Sequence, residues 1–412
     1  MNQLTVDSIL DASKRLENLV RKTPLEKNDR FSELVKGNVF FKREDRQKVR
    51  SYKINGAANA ISMLSEEERD KGIVCSSAGN HAQGVAESCN LLGIKGVIYM
   101  PKITPNQKVK KTQEFGGDFV EVKLFGDTFD ETSTAAKEFS KEKDSIFIHP
   151  FDDLNVIAGQ GNVGVSLFEQ MQKEKKTLDY LFLPIGGGGL LSGVGTYIKS
   201  VSPHTKIIGI EPDGAPSMTK ALQAGKPVTL RNIDTFVDGA AVKRVGDLTY
   251  TLSKDLLDDI LLIKNDDLKY RMRDLFDEGI VTEPAGALSV AGLYQMKEEL
   301  EDKNSICVIS GGNIDNLRFT RICNETQYYG LDHYFTITLP ERPQALLELL
   351  TRTSNPEDNI ITFHYDSNNS RQAQPMIGIE FGTENNYQRF LDILETDNYK
   401  FKETSRSEIL GY

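Results

Sequence analysis

Four short segments of this chain carry residue types suited to chemistry, and each lies where an apolar strand gives way to a turn or helix. Lys53 opens a helix in "RSYKINGAANA" that is otherwise small and apolar. The field at a helix start favours anions. It therefore lowers the proton affinity of an amine placed there and helps make a nucleophile. A lysine that lays its stem along the surface would look the same. Gly186, Gly187, Gly188 and Gly189, followed by Leu190, end the apolar run "YLFLPI". Four glycines carry a high conformational entropy cost, so bare backbone is needed there. The N–H groups at such a strand-to-helix turn bind phosphate, and a tight packing turn uses the same residues.

The third segment, "SSAGNHAQG", follows the strand "GIVCSS". Its backbone N–H groups and hydroxyls suit a carboxylate, and the Asn80 amide suits a phenolic oxygen. A capped turn is the simpler reading, with Ser76 or Ser77 as the cap. The fourth, "VISGGN", places Ser310 at the end of an apolar strand ahead of two glycines. That hydroxyl can face a ring nitrogen or merely close a turn. The glycine run is not followed by the acidic residue of a dinucleotide site, nor does it end in the Gly-Lys-Ser/Thr of a P-loop. A smaller phosphorylated cofactor fits better. An amine for an aldehyde, a phosphate cup, and partners for a 3-oxygen and a ring nitrogen are together the requirements of pyridoxal 5'-phosphate.

Elements that repeat strand-then-helix must position these segments. "NVFFKRE", "GIVCSS", "KGVIYM", "DFVEVKL", "SIFIHP", "YLFLPI", "TKIIGIEP" and finally "SICVIS" read as strands, most followed by a helical stretch. This predicts α/β architecture, with open parallel sheets covered by helices. Ligands of such sheets bind at the carboxyl ends of the strands. After Gly330 the pattern changes to β-α-β-β-α-β: "HYFTITLP", "RPQALLELLTR", "NIITFHY", "QPMIGIEF", "NYQRFLDILE", "YKFKE". That order is the ferredoxin-like unit, and the expected boundary lies at Arg321–Asp332.

With 412 residues the chain needs more than one core. A net charge of -10 argues against a nucleic-acid surface. No apolar stretch is long enough to span a bilayer. "MNQLTVDSIL" lacks a basic, then apolar, leader pattern, so the cytoplasm is the expected location. The four cysteines form no C-x-x-C pair and are expected to be small buried thiols.

"KREDRQKVRSYKINGA", "SSAGNHAQG", "PIGGGGL", "TEPAGAL" and "VISGGN", in this order, resemble the biosynthetic threonine dehydratases, or threonine deaminases, of fold type II. The resemblance spans essentially the whole chain. It implies a two-lobed pyridoxal-phosphate domain over 1–325, with a smaller lobe roughly over 45–150, and an ACT-like regulatory domain over 331–406. It also implies that Lys53 forms the Schiff base and acts as base, that Asn80 meets the 3-oxygen, that Gly186 to Leu190 hold the phosphate, and that Ser310 faces the ring nitrogen. Ser77, Ala78 and Gly79 would hold the substrate carboxylate. Glu283 would lie near the cofactor in a role left open, and Glu211, in "GIEPDGAP", would be a cation ligand.

The reaction implied is β-elimination of L-threonine to 2-oxobutanoate and ammonia, the first step of isoleucine biosynthesis. Isoleucine and valine would be effectors and the assembly a homotetramer. Where the family usually reads R-P-G-A-L, this chain has Gln344 between Pro343 and Ala345, which puts effector binding at that turn in question. A serine dehydratase or serine racemase of the same fold, and a non-catalytic amino-acid sensor, are the alternative readings.

Overall fold

The computed structural model describes residues 3–328, 332–365 and 372–404. They form two compact units, Met1–Asp315 and Asn316–Tyr412.

The first unit holds two open α/β sheets. The larger has six strands in the order Leu25–Lys27, Asn38–Arg43, Asn304–Ile309, Tyr180–Pro184, Lys206–Pro212 and Asp259–Ile263. The first pair is antiparallel and the others are parallel. All five residues of Tyr180–Pro184 are buried, which is why this strand reads as a continuous apolar run and not as an alternation. Leu181 and Leu183 face helices Val6–Leu16, Leu154–Lys173 and Gly189–Val201. Phe182 lies on the other face beside Gly292 of helix Pro284–Gln295. The smaller sheet is wholly parallel, in the order Val120–Leu124, Gly96–Met100, Ile73–Ser76, Ile146–Phe147.

Strand direction fixes where the chemistry collects. Asn38–Arg43, Asn304–Ile309 and Tyr180–Pro184 are neighbours running the same way, so their carboxyl ends lie side by side. The chain leaves these three ends through the Arg50–Lys53 loop, Ser310 and the glycine run, respectively.

"SICVIS" and "TKIIGIEP" are read from sequence as consecutive strands, but Asp259–Ile263 lies between them in the chain and adds an edge to the sheet. It is half exposed and flanked by charge, with the burial of an edge strand and not of a core strand. The short antiparallel strand Leu25–Lys27, at the opposite edge, is likewise absent from the sequence expectation.

The second unit pairs Asn359–His364, Met376–Glu380, Asp332–Pro340 and Lys400–Glu403, in that order and all antiparallel. Helices Ala345–Thr353 and Glu384–Thr396 complete the β-α-β-β-α-β unit around Phe335, Ile337, Leu349, Ile377 and Phe390. A further two-residue strand, Gln372–Ala373, pairs with the end of Asp332–Pro340. The rest of the polar connection expected at "DSNNSRQA" lies outside the described residues. The units divide at Asp315, ahead of the Arg321–Asp332 stretch, because helix Asn316–Tyr328 contacts the strand Asp332–Pro340 of its own unit. Gln344 adopts φ +71, the left-handed conformation that favours glycine. The usual glycine of the R-P-G-A-L stretch is thus a backbone requirement that this chain meets with a strained glutamine.

Candidate active site

Lys53 is the first residue of helix Lys53–Ser62, and no side chain caps that helix. The loop before it is stitched to the loop after the central strand. The Tyr52 N–H donates to the Ser310 carbonyl at 3.0 Å, the Gly312 N–H donates to the Arg50 carbonyl at 2.9 Å, and Ser51 bridges to Gly311. Arg50 takes a positive φ of 56 to make this turn. From the other side helix Asn80–Leu92 presses against the lysine, since a Cβ on Gly84 would stand 3.2 Å from the Lys53 backbone.

The Lys53 amine donates to the Pro150 carbonyl at 2.9 Å. Enclosure by protein pulls it from 10.5 down to about 8, against the opposing influence of the Glu283 carboxylate. A minor neutral fraction therefore exists near neutral pH, far larger than for an ordinary lysine, as a nucleophile or base requires. Two histidines stand near it, the buried His81 and the partly buried His149. His81 is pushed down to about 3, by burial first and then by the Lys53 charge. Burial also pushes His149 down to about 4. Both imidazoles are neutral at pH 7 and supply no acid there.

Pro150 leads into Phe151, which shapes the glycine run. A Cβ on Gly187 would overlap the Phe151 ring, and one on Gly189 would stand 3.1 Å from the Phe151 Cβ. One on Gly186 would meet the Ala240 backbone at 3.0 Å. Gly188 is the N-cap of helix Gly189–Val201 at φ +91 and caps it with no side chain. Each glycine thus has its own steric or conformational reason. Together they leave the first-turn N–H groups without a side-chain acceptor, a ready anion site. The packing turn and the candidate anion cup are one structure.

Ser310 is buried, and its hydroxyl donates to the Ala285 carbonyl at 3.2 Å. Ser77, Ala78 and Gly79 lead into helix Asn80–Leu92, which has no side-chain cap. They are partly exposed, and the space beside Gly79 is open. The Asn80 amide donates to Glu283 Oε1 at 2.5 Å and accepts from Asn313 at 2.8 Å. Glu283, whose role the sequence leaves open, thus links Asn80 to the field around Lys53. The structure sets Glu211 in a different place. Its buried carboxylate accepts from the Met218 and Thr219 N–H groups and the Thr219 hydroxyl, tying down the start of helix Ser217–Ala224.

Phe151, Asn313 and His149 are the neighbours that sequence reasoning passes over, and His81, noted within "SSAGNHAQG", is given no role there. For Phe151 and His149 the available signal was their place at and just after the end of the strand read in "SIFIHP". For Asn313 it was the final residue of "VISGGN".

A cup of helix N–H groups, an amine lowered by burial, a buried hydroxyl at a strand end and an amide at a helix start form a donor set that fits pyridoxal phosphate. The chain's relatives agree. Residues 16–312 match the family model described as pyridoxal-phosphate dependent enzyme. Residues 325–412 match that of the C-terminal regulatory domain of threonine dehydratase. The biosynthetic L-threonine dehydratase IlvA of Halalkalibacterium halodurans is 45% identical over 100% of this chain and 99% of its own length. That of Bacillus subtilis is 43% identical over 99% and 96%.

The chain belongs to the threonine dehydratase family.

Solved structures place it the same way. Threonine deaminase isoform 2 of Solanum lycopersicum aligns with a TM-score of 0.73 at 39% identity, covering 78% of this chain and 94% of that one. A serine racemase from Dictyostelium discoideum aligns at 0.69 and 34%, covering 76% and 99%. The two-lobed α/β domain is therefore fold type II, and its cofactor is pyridoxal phosphate.

The lowered amine has a kinetic signature. Attachment of pyridoxal phosphate to the cofactor-free chain needs neutral Lys53. The rate is expected to climb between about pH 7 and 9 and then level, because the group titrates at about 8. A rate still climbing at pH 10 would show an ordinary exposed lysine.

Proposed function

We propose that this chain converts L-threonine to 2-oxobutanoate and ammonia by β-elimination, under the control of its carboxyl-terminal unit. The observation that carries this is that Lys53 is linked to the glycine run through Pro150 and Phe151, to Asn80 through Glu283 and to the Ser310 strand end through Tyr52, in a chain related along its whole length to biosynthetic threonine dehydratases. Gly186 to Leu190 would hold the cofactor phosphate, Asn80 the ring 3-oxygen and Ser310 the ring nitrogen. Bound pyridoxal phosphate supplies an aldehyde and a conjugated ring that draws the electron pair from the substrate α-carbon.

The protein's own groups do the rest. Lys53, with its pKa lowered by burial, takes the α-proton. The uncapped start of helix Asn80–Leu92, with Ser77, Ala78 and Gly79, orients the substrate carboxylate. The Ser310 hydroxyl is neutral and does not force a proton onto the ring as a carboxylate would. The electron pair is then free to expel the β-hydroxyl, which takes up the proton held by Lys53 and leaves as water. The water lost in that step is regained when the released enamine tautomerises and hydrolyses.

No helix of the described residues is long and apolar enough to cross a membrane, and we place the protein in the cytoplasm as a homotetramer. Of the alternative readings, serine turnover is an arm of the same assay.

The full-length chain is expected to release 2-oxobutanoate from threonine, and Lys53→Ala is expected to lose at least the ~10²–10⁴-fold that a positioned base contributes. Unimpaired release by the variant would remove Lys53 from the mechanism, and turnover of serine alone would change the substrate.

Every cofactor motif lies within the first unit. A chain ending at Asp315 should therefore keep threonine turnover but lose any response to isoleucine or valine. An effector acts only by binding two states differently, typically by ~1–3 kcal/mol. The strained Gln344 turn predicts a weak response in the full-length chain. Inhibition by isoleucine that survives truncation would move the regulatory site into the first unit.

A further inference from the structure

We infer that Asn313 is a positioning residue: it fixes which end of the Asn80 amide faces the cofactor. The inference rests on the proposal that Asn80 meets the cofactor's ring oxygen. Asn313 Nδ2 donates at 2.8 Å to the Val49 carbonyl and at 2.8 Å to Asn80 Oδ1. A backbone carbonyl can only accept, so it must face the NH2 end of Asn313. That NH2 group in turn requires the oxygen of Asn80. Asn80 is left with its own NH2 group pointing the other way, where it donates at 2.5 Å to Glu283 Oε1. The direction of the whole relay is thus set at Val49, whose carbonyl has no alternative polarity.

An amide NH2 has two hydrogens. Glu283 takes one and the second remains for a ring oxygen. If Asn80 were reversed, its oxygen would face the carboxylate and no donor would face the cofactor. Gly311 makes room for this arrangement. A Cβ there would overlap Glu283 Oε1 and stand 3.3 Å from Asn80 Nδ2.

The test compares Asn313→Asp with Asn313→Ala in the full-length, cofactor-loaded chain, with Asn80→Ala as reference. Aspartate keeps the volume of asparagine but only accepts, so it repels Val49 and turns the Asn80 NH2 toward itself. Alanine only removes a donor. A polarity role predicts that aspartate is the worse substitution. The kcat should fall by more than about tenfold for Asn313→Asp and roughly 2- to 10-fold for Asn313→Ala. The absorption maximum of the bound cofactor should move as it does in Asn80→Ala. Combining either Asn313 variant with Asn80→Ala should add nothing further.

A packing role predicts the reverse order, alanine worse than aspartate, with effects that add to Asn80→Ala. Either of those results overturns the inference and leaves the Asn80 assignment standing. If Asn80→Ala itself leaves the cofactor absorption unchanged, the assignment of Asn80 fails and the inference falls with it. If the aspartate variant does not fold, non-additivity between Asn313→Ala and Asn80→Ala decides the question: its presence supports the inference and its absence overturns it.

Discussion

A primary amine enclosed by protein, with a carbonyl to hold it and a carboxylate within electrostatic reach, is the constraint around which the first unit is arranged. Lys53 would be an ordinary cation in water. Withdrawing it from solvent lowers its proton affinity, while Glu283 limits how far that affinity falls. The balance requires contributions from distant parts of the chain. Pro150 comes from the end of the smaller sheet, Glu283 from the start of a helix that covers the larger sheet, and the Tyr52–Ser310 bond from the central strand. The parallel sheets bring together elements that are as much as 260 residues apart in sequence, roughly the distance from Lys53 to Ser310.

The same arrangement explains why the site is rich in glycine. Gly186, Gly187 and Gly189 are crowded by Ala240 and Phe151, and Gly188 turns through a positive φ. The proposed phosphate cup is therefore not an open loop waiting for a ligand. Its backbone is held by packing, and only the N–H groups at the helix start remain to be satisfied. Preorganised donors of this kind do not have to reorient when the anion arrives.

Much of this was legible in the sequence because the relevant signals are local. A buried parallel strand is a continuous apolar run, and a glycine cluster or a lysine in an apolar helix start stands out against it. Tyr180–Pro184 and Asn304–Ile309 were visible for that reason, and so were Lys53, Ser310 and the glycine run. Asp259–Ile263 was not, because an edge strand buries only one side and its short apolar run is flanked by aspartates. The Asn80–Glu283–Asn313 relay was not legible either. Its members are 203 and 233 residues from Asn80, and no local pattern announces a pairing over that distance. Gln344 shows a third case: the departure from the family's glycine was visible, but its backbone conformation was not.

The central claim is that Lys53, and no other lysine, carries the cofactor. The chain offers many other lysines, including the buried Lys42, whose amine is also pulled down to about 8 but donates to the Thr23 carbonyl and the Ser166 hydroxyl. Reducing the cofactor-loaded protein with borohydride, digesting it and sequencing the peptides by mass spectrometry locates the attachment directly. The pyridoxyl group is predicted on the peptide that contains Lys53 alone. Its recovery on Lys42 or on a surface lysine, with Lys53 unmodified, would contradict the account.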